Sequence, residues 1–166
     1  FELDPLLTID SAKVNGAPLS VATSGFIRTI TLPTAISAGS FFTAHIFYHG
    51  TPPAGSGFFN GVTHSVSSAG THMVYTVSDP WVAKDWWPCK QNLSDKIDSL
   101  DVVITTPTPY KGVSNGLLKQ SLQQGNKCTF VWQHRYPIAT YLVCFAVAVL
   151  EPVYVNVALV VPTNKF

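Results

Sequence analysis

His45 and His49 are the first residues whose types and spacing suggest chemistry, because two histidines four positions apart can hold a metal ion. That arrangement needs a helix, which brings positions i and i+4 to one face, and a Glu beside the first His as general base. Here the intervening residues are Ile46-Phe47-Tyr48, which have strand composition and include no Glu. The pattern favours structural or surface histidines, and we predict no metal ligands in this chain.

Other catalytic patterns are incomplete. The loop Gly55–Gly61 resembles a phosphate-binding loop, but it misses G-x-G-x-x-G by one residue and opens no helix. Asp95, Asp98 and Asp101 have the positions of turn and strand-edge residues rather than of an acid–base pair. We therefore predict no catalytic residues here.

The three cysteines, Cys89, Cys128 and Cys144, cannot all pair with one another. None belongs to a C-x-x-C motif, which excludes the usual zinc-finger and thioredoxin patterns. Free buried thiols and a single disulfide bridge both remain open. The cysteines do not identify a redox compartment.

Charged residues are scarce. They make up 11% of the 166 residues, against a usual fraction of about 25%, whereas the hydrophobic fraction of 46% is ordinary. Either the chain is secreted and rich in Ser and Thr, or one of its faces is normally covered by a partner outside this chain. The net charge of +1 leaves no basic stripe, so we predict no nucleic-acid partner.

The elements that must position these residues are strands. Asn15-Gly16 and Asn115-Gly116 have the composition of tight turns, and β-branched runs alternate with Gly, Pro and Asn throughout. We predict an all-β, antiparallel β-sandwich or saddle of about ten short strands with little helix, forming a single domain over residues 1–166. The Gly- and Ser-rich segment 54–70 is predicted to be a loop, and 136–140 a break with at most one helical turn. The apolar stretch 141–161 is predicted to be two strands joined at Glu151-Pro152 and no membrane span.

Residues 78–96, the Trp-rich segment, contain three of the four tryptophans and one cysteine. We expect Trp81, Trp86 and Trp87 to pack in the core or at a domain interface. Lys84 and Asp85 are expected to form a solvated or structural ion pair.

From this segment onward the chain resembles the N-terminal β-saddle domain of the aminopeptidase-N-like zinc metallopeptidases (gluzincins). The resemblance starts at the aromatic-Pro-Cys motif, Trp87-Pro88-Cys89, with Lys96 seven residues later. It covers residues 76–148 well and residues 1–51 more loosely. The other matching segments, in order, are Val102–Pro107, Val113–Leu117, Phe130–His134 and Tyr136–Leu142.

The resemblance implies a non-catalytic domain that packs on a downstream catalytic domain and helps form the substrate cleft. The parent enzyme would be a zinc aminopeptidase acting on peptides, with its zinc in the catalytic domain and no cofactor in this chain. This chain alone would be inactive. The family's first strands and its catalytic domain are expected outside the sequence. The chain departs from the family pattern at Gln91-Asn92-Leu93, where the family usually has Asp-Glu-Pro. The Trp-rich lead-in resembles a bacterial branch of secreted or cell-envelope enzymes.

One family role maps onto a residue of this chain. In many members an acidic residue ten positions before the Cys binds the free α-ammonium group of the substrate, and Asp79 has that position here. A carboxylate suits the task because it accepts charge-assisted hydrogen bonds. Asp79-Pro80 is also a typical turn start, so a local structural role remains open.

A second hypothesis makes the chain a stand-alone β-sandwich module that binds carbohydrate or protein. The aromatic residues would then form a ligand platform instead of a packed core.

Overall fold

A computed structural model of the chain describes residues 1–53, 61–68, 70–78 and 80–150. This part is all-β, with twelve strands and two short 3₁₀ turns, Ala83–Asp85 and Thr140–Leu142. The second turn begins at Thr140, the last residue of the predicted break at 136–140. The strands are β1 Leu7–Val14, β2 Ala17–Leu19, β3 Val21–Ser24, β4 Ile27–Ile30, β5 Ala44–Gly50, β6 Val62–Val66, β7 His72–Thr76, β8 Leu100–Pro107, β9 Lys111–Ser114, β10 Leu117–Gln124, β11 Lys127–His134 and β12 Phe145–Ala148.

The first half of the chain forms two small antiparallel sheets, β2-β1-β5 and β3-β4. Asn15 and Gly16 have φ of 48° and 84°, and Val14 pairs with Ala17 across them, so the predicted tight hairpin turn is confirmed. The β1–β5 ladder shifts register between Ile9 and Ser11, which marks a bulge.

A four-stranded antiparallel sheet has the order β6-β7-β12-β9. Strand β6 lies inside the predicted loop 54–70, so that prediction is wrong over residues 62–66, which pair with β7. The β-branched content of β6 outweighs the Gly and Ser on its flanks. Strand β12 brings distant parts of the sequence together in this sheet. The Thr76 hydroxyl accepts a hydrogen bond from the Phe145 N–H at 2.9 Å. Residues 54–60 and 69 lie outside the described residues.

A three-stranded antiparallel sheet, β10-β11-β8, packs on β9 of the four-stranded sheet. Trp132 of β11 donates its indole N–H to the Gly112 carbonyl at 3.0 Å. Asn115-Gly116 links β9 to β10 as predicted, but it is not a tight hairpin turn, because the two strands lie in different sheets and Asn115 lacks a positive φ. This link carries the chain from one sheet to the other. The Asn115 side chain fixes this crossing by bonding the Leu142 carbonyl and the Cys144 N–H.

Buried apolar side chains are mostly small or come from loops, and Leu3 is the largest that is fully enclosed. Many large apolar side chains remain exposed, including Phe41 at 99% and Leu117 at 67%. Exposed apolar surface of this kind is typical of faces that contact another protein or domain. No helix in the described part of the chain is long and apolar enough to cross a membrane. The strand predicted after Glu151-Pro152 lies outside the described residues.

Candidate functional site

The Trp-rich segment is anchored to the first residues of the chain by backbone hydrogen bonds. The Glu2 N–H donates to the Cys89 carbonyl at 2.8 Å, and the Cys89 N–H returns a bond to Glu2 at 3.1 Å. The Asp4 N–H donates to the Lys84 carbonyl at 2.9 Å. Ala83, the first residue of the 3₁₀ turn, has no exposed surface. The segment is therefore a fixed part of the fold.

Two of the three tryptophans in this segment pack as predicted. Trp86 lies edge-on to Phe145 with ring centroids 5.2 Å apart, and it contacts Trp87 at 5.8 Å. Its indole N–H donates to the Ser78 hydroxyl at 2.9 Å. Trp81 is 51% exposed and is not part of the core. Trp81 is the most exposed of these three rings.

Tyr48 connects strand β5 to the Trp-rich segment. Its hydroxyl donates to the Trp86 carbonyl at 2.9 Å. Burial raises the pKa of the Tyr48 hydroxyl above its usual range, because the phenolate would lose its hydration. Tyr48 therefore acts as a neutral hydrogen-bond donor that holds the segment against the sheet.

Lys84 and Asp85 form the predicted ion pair, with Nζ and Oδ1 3.6 Å apart and side chains only 17% and 15% exposed. Lys84 also donates to the Trp81 carbonyl at 2.6 Å and lies 4.9 Å from the centre of the Phe26 ring. Burial raises the pKa of Asp85, and the nearby Lys84 charge lowers it by less. The pair is structural, since its partners and its low exposure fix both side chains.

The three cysteines are free thiols. Burial raises the pKa of Cys89 to about 12, so this thiol stays protonated near neutral pH. A protonated thiol is a poor nucleophile and a poor metal ligand. Cys89 is thus a packing residue of the aromatic-Pro-Cys motif.

The residues whose types could support metal or acid–base chemistry do not converge. His45 and His49 are both exposed on β5, and His49 Nδ1 lies 2.8 Å from Asp10 Oδ1. Asp95 pairs with Lys90 and Asp101 with Arg135 at the surface. Within the described residues no group of three or more His, Cys, Asp or Glu side chains could hold a metal ion.

Asp79, the predicted substrate-binding residue, lies outside the described residues. Its neighbour in sequence, Ser78, is 4% exposed and accepts the hydrogen bond from Trp86. Two other buried polar atoms in this segment, Trp87 Nε1 and Gln91 Oε1, have no hydrogen-bond partner among the described residues.

Arg28 is a feature that sequence reasoning missed. Its residue surface is 3% exposed, although arginine is rarely buried unless it is paired. A signal was present, because Arg28 alternates in phase with Ile30 and Leu32 and so shares their face of the strand.

Comparison with known proteins was informative only at the level of structure. No protein-family model matches the sequence, and no curated protein matches it. The solved M1 zinc metallopeptidase from Deinococcus radiodurans matches with 23% identity and a TM-score of 0.74, over 89% of this chain and 33% of that one. A variant of it bound to a Tyr-Ser-Ala substrate matches with 22% identity, the same coverage and the same TM-score.

A two-domain M1 zinc metallopeptidase bound to L-tryptophan also matches, with 22% identity and a TM-score of 0.75, over 89% of this chain and 33% of that chain. This chain has the same fold as the third of each metallopeptidase chain that it matches. The predicted all-β architecture is confirmed, and the β-saddle resemblance is supported by fold. The chain spans about a third of the length of the metallopeptidases that it matches.

Proposed function

We propose that this chain is the N-terminal, non-catalytic domain of a zinc-dependent aminopeptidase and forms part of its substrate cleft. The observation that carries the proposal is the fold shared with M1 zinc metallopeptidases over 89% of the chain at a TM-score of 0.74. The ordered motifs around Trp87-Pro88-Cys89 support the same family independently of the fold. The described residues offer no site for zinc, so the metal chemistry would belong to a separate catalytic domain.

The exposed apolar surface supports packing against such a domain. Trp81, Phe26 and Leu142 are each exposed by two fifths or more, although a free-standing surface is normally richer in charge. Interfaces between domains of one chain bury roughly 600–1,500 Å² and include apolar side chains of this kind. In the proposed enzyme these side chains become buried, which accounts for the low charge content.

Within this function, Asp79 is proposed to accept hydrogen bonds from the α-ammonium group of the peptide substrate. The support comes from its place in the motif and from its neighbour Ser78, which is buried and bonded to Trp86. A carboxylate that meets an ammonium group makes charge-assisted hydrogen bonds, each contributing about 1.5–3 kcal/mol. Free peptides would then be preferred over N-blocked ones.

The test of the peptidase activity uses the full-length protein that the gene encodes. We expect an H-E-x-x-H motif with a downstream Glu beyond this chain, and hydrolysis of aminoacyl-anilides that a zinc chelator abolishes. Residues 1–166 alone should show no turnover. A gene product without the motif, or one without chelator-sensitive hydrolysis, would exclude the peptidase function.

The role of Asp79 is tested by Asp79→Asn in that enzyme, with Asp98→Asn as a matched control because Asp98 is an exposed aspartate of the same domain. Inhibition constants are measured for a free amino acid and for its N-acetyl form. Asp79→Asn should weaken binding of the free amino acid by about tenfold and hardly affect the acetylated one. Equal losses for both ligands would remove Asp79 from the site.

We also propose that the enzyme is bacterial and is secreted or held in the cell envelope, which the Trp-rich form of the motif supports. Cell fractionation with an antibody against the native protein tests this. Recovery in the cytoplasmic fraction alone would refute it.

A further inference from the structure

Arg28 of β4 is buried, yet no carboxylate lies within ion-pair distance of it in the described part of the chain. Its guanidinium donates to the backbone carbonyls of Gly25 at 2.6 Å, Ile27 at 3.3 Å and Asp4 at 3.3 Å. The Asp4 carboxylate accepts from the Leu6 N–H instead. A guanidinium has five N–H donors, so these three bonds leave donor capacity and a full positive charge.

Arg28 also lines an open groove of about 390 Å³ between β1 and β3. The groove exists because β2 pairs with β1 only as far as Ala12, and β3 then pairs with β4 instead. The Thr8–Ser11 edge of β1 pairs with no second strand in the described part of the chain and forms one wall. Ser20 and Thr23 add hydroxyl groups from the opposite side.

We propose that this groove binds a small monocarboxylate with a short aliphatic chain. A carboxylate matches the planar donor arrangement of a guanidinium, and a buried cation gains most from an anionic partner. Leu7, Leu19 and Val21 also line the groove and supply apolar contact for the aliphatic part. A groove of this volume is near the lower end for small-molecule sites, which favours a small ligand.

The charge balance of the groove favours one negative charge over two. Asp10 also lines the groove, and its carboxylate already pairs with His49. Arg28 is therefore the only buried cation of the lining, and a dianion such as phosphate would face Asp10 without a second cation. The assignment is thus to a monocarboxylate and not to phosphate.

The test is titration of the ¹⁵N-labelled full chain with sodium butyrate at constant ionic strength, followed by amide and arginine Nε chemical shifts. Arg28 is left unchanged, since it also holds three backbone carbonyls. We expect saturable shifts in β1, β3 and Arg28 below about 50 mM butyrate, as suits a ligand of so few atoms. Neutral butyramide should bind at least about tenfold more weakly, because it cannot form charge-assisted bonds.

A pair of variants locates the site. Ser20→Tyr fills the groove and should weaken butyrate binding at least about tenfold. Ser24→Tyr places the same ring on an exposed β3 residue outside the lining and should leave binding unchanged. Asp10→Asn should tighten binding by roughly threefold, because it removes one nearby negative charge.

Three results would overturn the proposal. They are the absence of saturable shifts with butyrate, equal binding of butyrate and butyramide, and equal effects of the two tyrosine variants. Tighter binding of inorganic phosphate than of butyrate in competition would refute the monocarboxylate assignment.

Discussion

Replacing Gly116 by alanine should destabilise this fold far more than the same change at Gly125, although both glycines occupy turns beside β10. Gly116 has φ of +92°, and a Cβ there would lie 2.1 Å from the Gln133 carbonyl oxygen and 2.8 Å from the His134 nitrogen. Both atoms belong to the backbone of β11, which is the central strand of its sheet. They cannot move without disturbing the ladder.

The magnitude follows from two contributions. A left-handed conformation costs an L-residue about 1–2 kcal/mol, and this applies at Gly116 and at Gly125, where φ is +59°. At Gly125 a Cβ would meet nothing within 4 Å, so no steric cost is added. At Gly116 the displacement of β11 removes at least two ladder hydrogen bonds, at about 1 kcal/mol each. The expected losses are about 1–2 kcal/mol for Gly125→Ala and about 3–4 kcal/mol for Gly116→Ala.

The assay is urea unfolding followed by tryptophan fluorescence and far-ultraviolet circular dichroism, with thermal unfolding as a second measure. For a chain of this size, 1 kcal/mol corresponds to a Tm change of about 2–4 °C. Gly116→Ala should therefore lower the Tm by roughly 10 °C and Gly125→Ala by roughly 4 °C. Losses that agree within about 0.5 kcal/mol would show that the turn at Gly116 can open without cost to β11.

Other predictions concern the Trp-rich segment. Tyr48→Phe should lower the free energy of unfolding by about 1 kcal/mol, because the Trp86 carbonyl loses its donor; an unchanged urea midpoint would argue against that bond. Cys89 should resist Ellman's reagent at about pH 8 in the native protein while exposed Cys144 reacts; rapid native labelling of Cys89 would contradict its burial. Because burial raises the pKa of Asp85, protonation favours the native state, and wild-type stability gains a contribution as pH falls through the folded-state pKa. The stability of Asp85→Asn relative to wild type should therefore decrease as the pH is lowered from about 7 to about 4. An increase over the same range would contradict a raised pKa for Asp85 in the native state.

Local chemistry made much of the fold predictable. The Asn15-Gly16 turn could be read directly, because few residue pairs adopt its two positive φ values. The prediction failed at β6, where Gly and Ser on both sides hid a short strand. Its stability depends on pairing with β7, and a pairing partner is not visible in a local window.

The candidate sites show the same limit. Asp79 could be proposed only through family resemblance, since a single carboxylate before a proline has no distinctive local pattern. The burial of Arg28 was not predicted, although its alternation with Ile30 and Leu32 carried that signal. The groove beside it could not be foreseen, because it depends on where β2 stops pairing and where β3 turns toward β4.

The position of β12 between β7 and β9 has a consequence for biosynthesis. The chain emerges from the ribosome in order, so β6 and β7 are complete long before Phe145 can meet Thr76. Until then they can form only a two-stranded ribbon, which is marginally stable in water. At roughly 5–20 residues per second the wait lasts several seconds. During that time the apolar side of the nascent ribbon is open to aggregation, so this domain should depend on ribosome-associated chaperones more than a fold built from neighbouring hairpins.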